Sequence, residues 1–164
     1  MIFATVGTQL AFDRLITAVD DWAEKNPGEE IIAQIGPSKV VPNHMKSFDF
    51  KSPDELRQLQ EQCSLIIAHA GIGTILTALE LGKPVIIFAR DHERGEVRNG
   101  HQRGSLKQFG SFAGVYAADD ELALHQLLDN RKDLAPPPVI KVVSSPTELV
   151  EKLRAHLKRT FKYR

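Results

Sequence analysis

The sequence predicts an α/β fold: a parallel sheet of about six strands with helices on both faces. Two observations predict it. Short, continuously apolar runs alternate along the chain with longer stretches whose apolar residues recur at helical spacing. Strands alternating with helices in this way imply right-handed crossovers, and so a parallel sheet covered on both faces. The length of 164 residues suits one domain.

Ile2–Val6 reads as the first buried strand. Phe12, Leu15, Ile16, Val19 and Trp22 then recur at helical spacing. Ile31–Ile35 is the second strand, ended by Gly36-Pro37, and Ser47–Phe50 a short third. Ser52-Pro53-Asp54-Glu55 is a helix start: Ser52 caps, Pro53 fits the first turn and Glu55 completes a capping box. Leu56 and Leu59 of that helix face inward. Leu65–Ala68 is the fourth strand, followed by a glycine loop and a helix from about Thr74 to Leu81, stopped at Gly82. Pro84–Phe88 is the fifth strand, Arg90–Gly100 a long polar loop, and His101–Phe109 a further helix. Gly114–Ala117 is the sixth strand, and Asp119-Asp120-Glu121 places carboxylates on the first turn of the next helix. The triproline Pro136-Pro137-Pro138 is stiff. The pattern divides the chain into a Rossmann-like domain over 1–134, a Pro-rich linker over 135–145 and a basic amphipathic helix over 146–164.

Composition narrows the function. Twenty-one basic and 21 acidic side chains balance, which removes any global attraction to nucleic acid. Cys63 stands alone, so neither an intrachain disulfide nor a thiolate metal cluster is expected, in keeping with a reducing cytoplasm. The first residues carry no basic and long apolar segments of the signal-peptide kind, and no apolar run reaches the ~20 residues of a membrane span. The last 15 residues carry six Lys and Arg against Glu151 alone. They read either as a solvated helix face whose basic end suits the helix dipole, or as a contact for anionic lipid or an acidic partner.

In open parallel sheets, ligands bind beyond the carboxyl ends of the strands. Three polar, glycine-containing segments leave that edge: Gly7–Ala11, His69–Thr74 and Arg90–Gln102. Gly7 permits close approach of backbone to a ligand and Thr8 adds a hydroxyl beside a helix N-terminus. His69-Ala70-Gly71-Ile72-Gly73-Thr74 joins a strand to a helix, where free backbone N–H groups and the helix dipole favour a phosphate or diphosphate. Thr74 is the expected N-cap, with a hydroxyl for a phosphate oxygen, and His69 reads as a ligand for phosphate or sugar or as a satisfied structural histidine. Leu76 breaks the dinucleotide-binding glycine spacing and no Gly-Lys-Ser/Thr follows, which disfavours NAD and ATP. His101 and Gln102, near a helix start, are candidates for gripping sugar hydroxyls. His92 and His101 lack the cysteines or carboxylates of a metal site, so no metal is expected.

Together these segments resemble the C-terminal donor-binding domain of glycosyltransferase family 28, above all its stand-alone catalytic subunits. The resemblance covers roughly residues 1 to 130. It rests on Val6-Gly7-Thr8 with Phe12–Ile16, on His69–Leu76, on Ala78–Ile86, and on Arg90, Gly95-Glu96, Asn99 and His101-Gln102. It implies one half of a GT-B fold and a UDP-sugar substrate, with no further cofactor. It places Gly7, Thr8 and Gly71–Thr74 at the diphosphate, and His101 and Gln102 at the sugar. Thr77 stands where the family usually has the Glu that holds the ribose, and Gly100 where Asp is common. The resemblance further implies a separate membrane-associated subunit that binds a lipid-linked or polysaccharide-precursor acceptor and supplies the base, which would bring this cytoplasmic chain to the membrane face. A non-catalytic nucleotide-binding or scaffolding module is the alternative.

Overall fold

The protein is described from a computed structural model, which covers residues 1–96, 106 and 108–138. Six strands form one sheet: β1 (Ile2–Thr5), β2 (Ile31–Gln34), β3 (Lys46–Phe48), β4 (Leu65–His69), β5 (Val85–Phe88) and β6 (Val115–Ala118). Among the described residues the fully defined α-helices are α1 (Asp13–Lys25), α2 (Pro53–Gln62), α3 (Ile72–Glu80) and α4 (Glu121–Asp129), and a 3-10 turn spans Arg131–Asp133. Leu106, Gln108 and Phe109 are also helical, in the segment expected to be so. The strand order is β3-β2-β1-β4-β5-β6, and every neighbouring pair is parallel. The chain thus winds outward from β1 through β2 to β3, crosses back, and winds the other way from β4. The boundary between β1 and β4 is the topological switch point, where the loops above the two strands diverge and leave a crevice.

Strand periodicity supplies both cores, because successive side chains point to opposite faces. Ile2 and Ala4 of β1, with Ile67 and Phe88, face α1 and α4. There they meet Phe12, Leu15, Ile16, Val19, Trp22, Leu124 and Leu128. Phe3, Ile66, Ala68, Val85 and Ile87 face the other way and pack on Ile75 and Ala78 of α3, with Leu106 and Phe109. Trp22 is core rather than surface: it is 2% exposed and its indole N–H donates to Asp129 Oδ1 at 2.7 Å, which ties α1 to α4.

Local signals behave as their chemistry requires. The Ser52 backbone N–H donates to Glu55 Oε2 at 3.0 Å while the Ser52 hydroxyl accepts from the Glu55 N–H, a complete capping box. No α2 side chain is fully buried; Leu56 and Leu59 reach the core as half-buried residues. Asp120 is the cap of α4, accepting from the Ala123 N–H at 2.7 Å, and only Glu121 lies in the first turn. Tyr116 Oη donates to the Ala135 carbonyl at 2.9 Å, and Pro137 lies against Gly114. The helix expected over 146–164 and most of the linker lie outside the described residues.

Candidate functional site

A cleft of about 550 Å³ opens at the switch point. Residues 6–10 above β1 form one wall. His69 and the start of α3 form the other, with Thr77 further along and Gln60 reaching in from α2. Arg90, just past β5, closes the back. Of the eight residues singled out from sequence, six (Gly7, Thr8, His69, Gly71, Gly73 and Thr74) line this one cleft. His101 and Gln102 lie outside the described residues.

The start of α3 differs from expectation. Its N-cap is Gly71, not Thr74, and no side chain caps it. The first helical bond runs from the Ile75 N–H to the Gly71 carbonyl at 3.3 Å. The N–H groups of Ile72, Gly73 and Thr74 therefore precede the hydrogen-bonded ladder, and Thr74 sits inside the first turn and lines the cleft. The physical reason is that glycine tolerates the cap position without a side chain, so helix can begin three residues before the first good capping hydroxyl. A Cβ placed on Gly73 would meet nothing within 4 Å, so the backbone is bare toward the cleft there. Thr8 is also displaced from its expected surroundings: α1 begins only at Asp13, and Thr8 lies in a bend across the cleft from the α3 N-terminus.

The His69 ring reaches from its own wall to the glycines of both loops. A Cβ on Gly7 would lie 2.5 Å from its Cε1, and one on Gly71 would lie 2.2 Å from its Nε2. The imidazole is thus a wedge seated on two glycine backbones, one from each loop. Gly7 also needs its glycine for conformation, with φ at 81°. Burial, together with the Arg90 charge, pushes the His69 imidazole down to about 4, with a smaller opposing pull from the Thr5 backbone. The ring is neutral near pH 7. Its Nδ1 is buried without a hydrogen-bond partner among the described residues.

In the polar segment after β5, Arg90 belongs to the pattern that carries the family resemblance, but the sequence assigned it no place in the site. Arg90 is 4% exposed, not part of a solvated loop. Next to it, Arg14 donates to both carboxylate oxygens of Glu96 at 2.8 and 2.9 Å and to the Ala89 carbonyl at 2.7 Å. Glu96 also accepts from the Asp91 N–H at 2.7 Å, which folds residues 90–96 back onto the end of β5. An Arg within a charged run gives no sequence signal of burial; the hints were its place directly after a strand and its part in the family pattern. Gln60 was missed too, because a half-buried helix residue remote in sequence carries no motif.

Among the described residues no helix is long and apolar enough to cross a membrane. Residues 1–156 match the family model of the glycosyltransferase family 28 C-terminal domain. The chain belongs to this family. Its curated relatives include the human UDP-N-acetylglucosamine transferase subunit ALG13, 33% identical over 117 residues. That match covers 65% of this chain and 10% of the human protein. Erythronolide mycarosyltransferase of Saccharopolyspora erythraea is 35% identical over 96 residues, which is 58% of this chain and 21% of that protein. The chain therefore spans only a small part of the curated relatives it matches. Among solved structures, the NMR solution structure of ALG13 superposes with a TM-score of 0.60 at 20% identity, covering 93% of both chains. The calicheamicin glycosyltransferase CalG4 superposes with a TM-score of 0.58 at 11% identity, covering 97% of this chain and 43% of that one. These likenesses establish the family 28 domain as one Rossmann-like lobe of the GT-B kind, as expected from sequence.

Proposed function

We propose that this family 28 domain is the donor-binding subunit of a two-component glycosyltransferase. It takes a UDP-sugar and delivers the sugar to a lipid-linked or polysaccharide-precursor acceptor held by a separate membrane-associated partner. The observation that carries the reading is the bare N-terminus of α3, with three N–H groups outside the helical ladder, opening onto a cleft at the switch point of a family 28 sheet. The human relative is named as a UDP-N-acetylglucosamine transferase subunit, which supports both the nucleotide and the divided architecture.

The chemistry follows from that wall. In glycosyl transfer an acceptor oxygen bonds to the anomeric carbon as the bond between that carbon and the diphosphate oxygen breaks, and the leaving diphosphate keeps the electron pair. Positive charge builds on the sugar and negative charge on the leaving group. N–H groups fixed at a helix N-terminus meet that negative charge without reorganising, and one such donor contributes about 3 kcal/mol in comparable sites. The Thr74 hydroxyl adds a donor. Thr77 Oγ1 donates to the Gly73 carbonyl at 3.1 Å and lines the cleft where the nucleotide would extend. The acceptor's proton goes to a base on the partner, and no metal is invoked.

Calorimetry of the chain with UDP, UDP-GlcNAc, UDP-glucose and NAD tests the reading, with and without the partner. UDP and a UDP-sugar bind, NAD does not, and Thr74→Val weakens binding. Absence of UDP binding both alone and with the partner refutes it in favour of a scaffolding module.

A further inference from the structure

We infer that Arg90 is a positioning residue of the donor cleft, a guanidinium that holds the Val6–Ala11 loop in the shape presented to the diphosphate. This rests on the donor-binding reading above. The guanidinium reaches across from the end of β5 into the loop that follows β1. Nη2 donates to the Val6 carbonyl at 2.9 Å and to the Leu10 carbonyl at 2.7 Å. Nη1 donates to the Ala11 carbonyl and, at 3.2 Å, to the Glu96 carbonyl. The guanidinium carbon also lies over the Phe12 ring at 4.6 Å.

The loop has little else to hold it. Val6 donates to the Gln34 carbonyl at 3.1 Å, the Gly7 N–H to Thr5 Oγ1 at 3.0 Å, and the Phe12 N–H to Ser38 Oγ at 3.2 Å. Between Gly7 and Phe12, the hydrogen bonds found among the described residues all end on Arg90. Thr8 and Gln9, between those anchor points, are exposed on the cleft side. The carbonyl oxygens gathered onto a buried cation are also oxygens not offered to an anion. An unheld loop would be free to present them to the cleft, where they would repel phosphate. The planar fork suits this role, because it offers donors in several directions from one rigid group and stacks flat on an aromatic ring. A lysine ammonium has three rotatable donors at the end of a flexible stem and no planar face.

Arg90 itself is supported from below. Phe12 stacks on Phe88 with ring centroids 5.6 Å apart. The Arg14–Glu96 pair fixes the segment whose Glu96 carbonyl Arg90 uses. The clamp is thus part of the core and not a surface contact, which is why its geometry can set a loop position.

The test uses the full chain with Arg90→Met and Arg90→Lys. UDP and uridine are titrated by NMR, and backbone 15N order parameters are measured for residues 8–11. A positioning role falls on the diphosphate alone. In Arg90→Met, UDP affinity drops tenfold or more while uridine affinity stays within twofold, and the order parameters of residues 8–11 fall from rigid values of about 0.85 toward 0.6. Arg90→Lys keeps the charge without the fork and loses at least threefold in the UDP-to-uridine ratio; it serves alone if the Met variant does not fold. A merely structural Arg would lower both affinities together, and that result overturns the inference. So does a loop that stays rigid in either variant. A wild-type chain that binds no UDP refutes the donor reading instead, and the order parameters then judge the clamp alone.

Discussion

The wedge arrangement at the cleft predicts that Gly71→Ala is destabilising only while His69 is present. Gly71 has φ −98° and ψ 131°, a conformation open to any L-residue, so the substitution carries no backbone strain. The steric term stands alone. The added Cβ would sit 2.2 Å from Nε2, 2.8 Å from Cε1 and 2.9 Å from Cδ2, against an ordinary contact of roughly 3.5–4.0 Å. The ring must therefore retreat by more than an ångström, and its neighbouring Cε1 corner already lies against Gly7. Overpacking of this kind costs about 1–3 kcal/mol. Removing the ring with His69→Ala removes the obstacle, so Gly71→Ala becomes nearly neutral in that background. Urea denaturation of wild type, both single variants and the double variant should give a coupling energy of about 1–2 kcal/mol. Gly7→Ala supplies the control. Its φ of 81° adds strain of about 1 kcal/mol that His69→Ala cannot relieve, so its rescue is partial. Additivity of Gly71→Ala and His69→Ala within about 0.5 kcal/mol would refute the reasoning, because it would mean that the ring does not occupy the space between the loops.

Three further outcomes are expected. Gly73→Val should leave stability within about 1 kcal/mol, because a Cβ there meets nothing within 4 Å, yet lower UDP affinity at least tenfold; calorimetry and denaturation of the same sample separate the two effects. The depressed imidazole of His69 makes stability depend on pH. Its folded value of about 4 lies below the ordinary 6.5, so the unfolded chain binds the extra proton between these values. Its contribution is present above pH 6.5 and is lost as pH falls toward 4, by at most about 3 kcal/mol. His69→Gln should flatten that part of the profile in urea titrations at pH 7 and pH 5, and an unchanged slope would count against a buried neutral ring. Ser52→Ala should destabilise the protein by about 1 kcal/mol through loss of the α2 cap, read as a lower thermal midpoint.

Much of the architecture is legible in the sequence because burial on two faces leaves a strong local trace. Runs such as Leu65-Ile66-Ile67-Ala68 and Val85-Ile86-Ile87-Phe88 are short, rich in β-branched residues and suited to interior strands, and the observed strand bounds differ from the expected ones by one or two residues. Ser52 and Glu55 announce their helix because both halves of the capping box lie within four residues. The cleft is legible at its edges for the same reason: glycines following buried strands mark where backbone must turn at the sheet's carboxyl edge. The start of α3 is not legible in this way, because a glycine cap has no side chain to announce it.

The strands, the parallel sheet and the family 28 membership carried by the glycine loops could all be read from the chain's own order, since they depend on interactions within a few residues or on their spacing. Three features could not: that Arg90 turns inward to the Val6–Ala11 loop, that Gln60 of α2 reaches the cleft, and that the His69 ring separates Gly7 from Gly71. The bonds from Arg90 to that loop join residues 79 to 84 positions apart, and the reversal of winding between β1 and β4 is what brings such distant segments to one edge. A local pattern can say that a residue is polar or small; it takes the meeting of separate crossovers at one edge to bury an arginine, or half-bury a histidine, beside a backbone loop.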